Sequence, residues 1–171
     1  MNTSPTSRFP LLLRPDSSDA RQTRELLDEL FDYRPYLMAS AAMGLVVMQV
    51  FLSGAQREAV LGALLVVVSA IMRIAVARRY TAMGAQADIR RCTTHFAVMC
   101  VAVAILWGIT GALLYHAADD NMRLVVLALG CVLVQAVTFR TYMAPGPTMV
   151  QVVILIAFHT AAMVLDGLYV V

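Results

Sequence analysis

Five long apolar stretches, separated by short polar breaks, constrain this chain more than any other feature of its sequence. They cover approximately residues 36–53, 59–77, 95–115, 123–139 and 147–170. Each is close to the roughly 20 residues that a helix needs to cross about 30 Å of hydrocarbon. Inside a bilayer only a helix or a closed barrel satisfies the backbone polar groups. The sequence therefore predicts an all-α fold, a polytopic membrane helix bundle with about five transmembrane helices.

Composition excludes the soluble alternatives. Of the 171 residues, 60% are hydrophobic and 14% are charged, which is too little charge to cover a soluble core of this size. The formal net charge of +2 is too small to indicate a nucleic-acid partner. The partner predicted by composition is the lipid bilayer itself.

The N-terminal 35 residues are predicted to form a separate cytoplasmic segment, followed by a transmembrane domain over residues 36–171. Within residues 18–33, apolar side chains recur at helical spacing while charged side chains occupy the other faces. Pro35 disfavours continuation of this helix through Arg34. We interpret the segment as an amphipathic helix lying at the membrane interface. A helix that docks on another protein has the same pattern and stays open as an alternative.

Arginine placement predicts the orientation, because cytoplasmic loops are enriched in basic residues. The basic residues are all arginines, and most of them lie in two segments that are predicted to be on the same side of the membrane. The N-terminal segment contains Arg8, Arg14, Arg21, Arg24 and Arg34, and the link after the second stretch contains Arg78, Arg79, Arg90 and Arg91. This bias predicts a multi-pass protein of the bacterial inner membrane with a cytoplasmic N-terminus. Five crossings would then place Val171 outside.

Polar residues inside a span are costly and are therefore functional candidates. His159 is near the middle of the fifth stretch, Asp166 is two turns further on the same face, and Gln151 lies about 80° round the helix. One interpretation is a proton-responsive or ligand-binding face. The other is a hydrogen bond from His159 to a neighbouring helix, with Asp166 reaching the outer surface. Arg73 is expected to reach the interface by snorkelling.

Small residues predict where helices approach closely. Ser40 with Gly44, and Ala104 with Gly108, have the spacing that permits close contact. Gln49 and Gln135 are predicted to make hydrogen bonds between helices.

No pattern in the sequence predicts catalysis. It contains no Ser-His-Asp arrangement and no phosphate-binding glycine loop. Cys92 and His95 supply two metal ligands without further partners. His116 with Asp119 and Asp120 could hold a cation at the outer surface, but helix capping by an acidic loop is the simpler explanation. We therefore predict no catalytic residues, no metal site, no cofactor and no enzymatic activity in this chain.

The order of features resembles the multi-helix membrane input regions at the N-termini of bacterial GGDEF diguanylate cyclases and sensor histidine kinases. Three segments carry this resemblance: Leu30-Phe-Asp-Tyr-Arg-Pro35, Ile71-Met-Arg-Ile-Ala-Val-Ala-Arg-Arg-Tyr80 and Ile105-Leu-Trp-Gly-Ile-Thr-Gly111. Trp107, in the last segment, belongs to its most specific element, the Trp-Gly pair. We group it with His159, Asp166 and Gln151 as a candidate ligand-binding or proton-responsive residue. The resemblance implies a sensory module that binds a small apolar ligand or responds to the state of the membrane through helix rearrangement.

The chain also departs from that pattern. Such regions usually have an even number of helices, whereas five are predicted here, and no GGDEF sequence, phospho-accepting histidine region or coiled-coil linker is present. If the chain is an input module, the native gene is expected to continue with a sixth apolar stretch. The alternative is a small accessory or assembly subunit of a larger membrane complex. Both hypotheses, the input module and the accessory subunit, allow helix packing against a second copy of the chain or against partner subunits.

Overall fold

The computed structural model describes residue 25 and residues 28–83, 89–138 and 145–169. These residues form five long helices: α1 (Arg34–Leu52), α2 (Gln56–Met83), α3 (Ile89–Ala117), α4 (Asp120–Thr138) and α5 (Pro145–Tyr169). All five are long and apolar enough to cross a membrane. No strand occurs in the described ranges. The predicted all-α, multi-pass bundle is confirmed.

The helices around the longest predicted break are longer than the apolar pattern indicated. α2 continues to Met83 and α3 begins at Ile89, so most of the polar link predicted over residues 78–94 is helical. Arginine is a good helix former, and neither glycine nor proline occurs in α2 after Gly62. At 1.5 Å per residue, the 28 residues of α2 span about 42 Å, which exceeds the hydrocarbon thickness. Hydropathy thus located the apolar part of each helix but not its polar end.

Two connections have a clear local cause. Gly54 has φ +106°, which places it in the left-handed region, and it turns the chain between α1 and α2. Asp119 caps α4, because its Oδ1 accepts a hydrogen bond of 2.9 Å from the backbone N–H of Met122. The cap predicted at Asp119 is therefore confirmed.

α3 is the central helix of the bundle, since it contacts each of the other four. Half of its most apolar window is buried, against 22% to 28% in the other helices. α3 runs antiparallel to α2, because Gly62 lies beside Leu114 whereas Arg73 contacts Met99. It runs parallel to α5, because Gly108 lies against Phe158 and His116 lies near Asp166. The outward faces of the surrounding helices expose large apolar side chains, including Leu45, Leu64, Val132 and Val153. That surface is the one a bilayer covers.

Residues 28–33, here called the leader, precede α1 at one end of the bundle, the leader end. Leu30 and Phe31 are buried there, although α1 itself begins only at Arg34. Phe31 stacks on Tyr80 of α2 with ring centroids 4.1 Å apart, and meets Phe96 of α3 edge-on at 5.7 Å. The apolar face of the leader thus packs on the bundle itself, an arrangement the prediction of an interfacial helix did not include. The predicted helix before residue 28 lies outside the described residues, apart from residue 25.

Candidate functional site

His159 of α5 fits into a notch formed by two glycines on two other helices. A Cβ atom on Gly111 of α3 would lie 3.0 Å from Cε1 and Nε2 of the imidazole ring. A Cβ atom on Gly130 of α4 would lie 2.8 Å from Cδ2 and closer still to Nε2. Real Cβ atoms essentially never approach as closely as the one on Gly130 would, and the contact at Gly111 would be tighter than nine in ten real ones. Glycine at these positions therefore leaves room for the ring. The three helices therefore meet at this imidazole.

Gly108 of α3 makes a similar close contact with Phe158 of α5. A Cβ atom on Gly108 would come within 2.6 Å of the Phe158 ring. The close approach predicted from Ala104 and Gly108 is therefore confirmed. The corresponding prediction for Gly44 is wrong, because nothing lies within 4 Å of the place its Cβ would occupy. Sequence spacing alone did not distinguish a glycine under a bulky ring from one that faces open space.

The imidazole of His159 is fixed by its own helix. Its Nδ1 lies 2.8 Å from the carbonyl oxygen of Leu155, one turn earlier. A carbonyl oxygen only accepts hydrogen bonds, so Nδ1 carries the proton and donates. Nε2 makes no hydrogen bond with any residue that the structure describes. The predicted hydrogen bond from His159 to a neighbouring helix is absent from these ranges; the bond formed is within α5.

A cleft of about 550 Å³ opens between α4 and α5 beside this ring. Its walls are mainly apolar, and the polar side chains on them are His159, Gln135 and Thr160. The lining is Leu127, Gly130, Cys131, Val134, Gln135, Leu155, Ile156, His159, Thr160 and Met163. Gln135 is exposed and forms no side-chain hydrogen bond with the described residues, so its predicted interhelical bond is not found there. The cleft opens on the outer surface of the bundle, where Cys131, Ile156 and Thr160 are exposed. Its size and its few polar groups are those of a small-molecule site.

Asp166 has a different neighbourhood from His159, at the end of the bundle opposite the leader. Arg123 of α4 donates two hydrogen bonds to its carboxylate, of 2.7 and 3.1 Å. Nδ1 of His116 lies 3.9 Å from the same carboxylate. The guanidinium of Arg123 also donates to the carbonyl of Ala118 at 3.2 Å and lies over the Tyr115 ring. This network joins the ends of α3, α4 and α5, and sequence reasoning identified Asp166 without its partner.

Gln151 is almost completely buried, with 2% of its surface exposed. Its Nε2 makes no hydrogen bond within the described ranges. It precedes His159 by eight residues, about 12 Å along the helix, and is not among the residues that line the cleft. The predicted polar stripe of α5 is therefore divided: Gln151, His159 and Asp166 have separate surroundings.

Trp107 packs against α2. Its indole N–H donates a 2.9 Å hydrogen bond to Oγ of Ser69 on α2, and both side chains are buried. The Ser69 hydroxyl in turn donates to the carbonyl of Val66 at 2.8 Å. Because neighbouring residues are about 100° apart on a helix, α3 presents Trp107 to α2 and Gly108 to α5. Trp107 is thus a packing residue between α2 and α3, separate from the cleft.

Arg73 lies beside this pair and is buried, with 2% of its surface exposed. Its guanidinium lies 3.8 Å from the centroid of the Tyr36 ring and donates a 2.8 Å hydrogen bond to the carbonyl of Leu30 in the leader. A second donor approaches Sδ of Met99 at 3.6 Å. The prediction that Arg73 snorkels to the interface is wrong, because aromatic faces and a leader carbonyl hold the charge inside the bundle. A sequence does not reveal such a partner, which lies 43 positions away.

The fold and its apolar helices define the class of this chain: a multi-pass α-helical membrane protein. Comparisons of the chain with protein-family models, with curated proteins and with solved structures found no match.

Proposed function

We propose that this chain is a sensory input module of the bacterial inner membrane, the membrane part of a diguanylate cyclase or a sensor histidine kinase, and that it detects a small apolar ligand. The observation that carries the proposal is the cleft of about 550 Å³ beside His159, where one ring nitrogen of a fixed imidazole is left without a hydrogen bond among the described residues. Apolar walls would supply affinity and the imidazole would supply orientation.

The route from the cleft to the cytoplasmic side is α3. Gly111 of α3 lies against His159, and Phe96 of the same helix lies against Phe31 of the leader. These two positions are fifteen residues apart, about 22 Å along one uninterrupted helix. A ligand that wedges α4 from α5 would shift the ring in its notch and with it α3. Shifts of packed helices by 1–2 Å are a known way to transmit a signal.

The arginine bias supports a cytoplasmic leader end, where an output domain could respond to the leader. Three contacts tie the leader to the bundle there: the Leu30 carbonyl with Arg73, the Phe31 ring with Tyr80, and the Asp28 carboxylate with the Tyr80 hydroxyl at 2.8 Å. A change in α2 or α3 would therefore move the leader as well.

Ligand retention tests the proposal. The protein is purified in mild detergent, and the apolar molecules that remain bound are extracted and identified by mass spectrometry. Cys131→Phe fills the cleft from α4. Val132→Phe adds the same bulk at the neighbouring position, which is 58% exposed and does not line the cleft. One apolar compound should be retained by the wild type and by Val132→Phe, but not by Cys131→Phe.

Identical extracts from all three proteins would contradict the ligand site. In that case the accessory-subunit reading gains support, and the exposed apolar faces would be examined for partner subunits. Thermal unfolding of each variant provides the control that both substituted proteins are folded.

A further inference from the structure

If the cleft binds a ligand, as the proposed function requires, the polar groups on its wall set the direction of any hydrogen bond to that ligand. Nδ1 of His159 donates a hydrogen bond to the Leu155 carbonyl. In the neutral ring Nε2 therefore carries a lone pair and can only accept a hydrogen bond. Gln135 and Thr160 each offer both a donor and an acceptor, so neither fixes the direction. Of the three polar side chains on the cleft wall, His159 is the one that requires a hydrogen-bond donor on the ligand.

The depth of His159 supports the neutral ring. It lies fourteen residues from the start of α5 and ten from the end, about 21 and 15 Å along the axis. A charged imidazolium near mid-membrane needs a partner anion. The nearest carboxylate on α5, that of Asp166, is already bound by Arg123. A ligand at Nε2 must therefore supply a donor, and a hydroxyl group does so.

The same depth limits the kind of hydroxyl compound. Lipid glycerol and headgroup hydroxyls are held at the polar interface, whereas His159 is close to the middle of its helix. Hydroquinones with long apolar tails dissolve in the hydrocarbon and carry aromatic hydroxyl donors. Their oxidised quinone forms have the same skeleton but present only carbonyl acceptors, which would oppose the Nε2 lone pair.

We infer that the cleft binds a lipid-soluble hydroquinone through a hydroxyl that donates to Nε2 of His159, and that it binds the corresponding quinone more weakly. The chain would then respond to the reduction state of the membrane quinone pool. The proposal concerns binding alone, and the chain transfers no electron.

The test uses decyl-ubiquinol and decyl-ubiquinone, two probes that differ by two hydrogen atoms. Binding of each is measured with the full chain in lipid nanodiscs, with the quinol kept reduced. The wild type should bind the quinol about tenfold or more tightly than the quinone, the ratio expected for one well-placed hydrogen bond. His159→Leu should reduce quinol affinity by a similar factor and abolish the preference. His95→Leu, which changes an exposed histidine on α3, should keep it.

A second measurement needs no substitution in the cleft. In the wild type labelled with ¹⁵N-histidine, quinol should shift the Nε2 signal of His159 in the direction of an accepted hydrogen bond, and quinone should not. Equal affinity for the two probes, tighter binding of the quinone, or no binding of either would overturn the inference. The proposed function is tested by a different result. It is contradicted when the Cys131→Phe variant retains the same ligands as the wild type.

Discussion

At the scale of single residues, two glycines determine what His159 can do. The sequence identified the histidine because a polar residue within a span is unusual. It did not identify Gly111 and Gly130 as its neighbours, because they lie on other helices and nothing in the sequence around them distinguishes them from Gly44. A glycine that accommodates a partner's ring can be recognised only once helix pairing is known.

Substitution of Gly130 tests the notch. Gly130→Ala adds a methyl group within 2.8 Å of Cδ2 of His159, so the ring or the helices must move. We expect destabilisation of roughly 1–3 kcal/mol, the usual cost of overpacking. The matched control is Gly44→Ala, whose methyl group meets nothing within 4 Å and which should change stability by less than about 0.5 kcal/mol. Unfolding in detergent measures both, and equal effects would contradict the notch.

A double-mutant cycle tests the ion pair between Arg123 and Asp166. The two side chains are 27% and 21% exposed and form a bidentate bond, so a double-mutant cycle with Arg123→Gln and Asp166→Asn should give a coupling of about 1–3 kcal/mol. Asp120 is the control, because it lies 3.6 Å from the same guanidinium but is 99% exposed. A cycle of Arg123→Gln with Asp120→Asn should give no measurable coupling. Coupling of similar size in the two cycles would contradict the arrangement.

At the scale of elements, α3 makes two kinds of contact through positions that are close in sequence. Trp107 donates a hydrogen bond to Ser69 of α2, whereas Gly108 and Gly111 lie against side chains of α5. The sequence flagged the segment Trp107-Gly-Ile-Thr-Gly111 through a resemblance, and it grouped Trp107 with the candidate ligand residues. The structure assigns the tryptophan to packing against α2 and Gly111 to the notch around His159.

Trp107 is the single tryptophan of the chain, so its fluorescence reports this interface directly. Ser69→Ala removes the acceptor of the indole N–H and leaves that donor unsatisfied in a buried place. The emission maximum should move to shorter wavelength. Ser53→Ala, which changes a hydroxyl at the end of α1 bonded to Val50, should leave the emission unchanged. An unaltered spectrum for Ser69→Ala would show that the hydrogen bond does not form.

At the scale of the whole molecule, hydropathy predicted the number and type of helices because the bilayer imposes the same rule on every span. It could not predict which helices pair. Lipid is as apolar as leucine, so pairing depends on small residues and on polar contacts between distant positions. Arg73 with the Leu30 carbonyl, and Arg123 with Asp166, are both of this kind. The docking of the leader was missed for the same reason.

Thiol labelling tests the orientation of the chain in the membrane. In a background with Cys92, Cys100 and Cys131 replaced by alanine, Asp119→Cys should react with an impermeant thiol reagent on intact spheroplasts. Ala85→Cys should react only after the membrane is opened, because the arginine-rich ends are expected in the cytoplasm. Labelling of position 85, but not of position 119, in intact spheroplasts would reverse the assigned orientation.

Occupancy of the cleft is expected to change the packing of the leader through α3. Hydrogen–deuterium exchange of residues 28–34 in nanodiscs measures this directly, since the amides of Asp32 and Arg34 donate hydrogen bonds to Glu29 and Asp32 of the leader. Decyl-ubiquinol should change their exchange by about fivefold or more in the wild type, the lower end of typical allosteric coupling, and should not do so in His159→Leu. Exchange that is identical with and without the ligand, although the ligand is bound, would contradict the account.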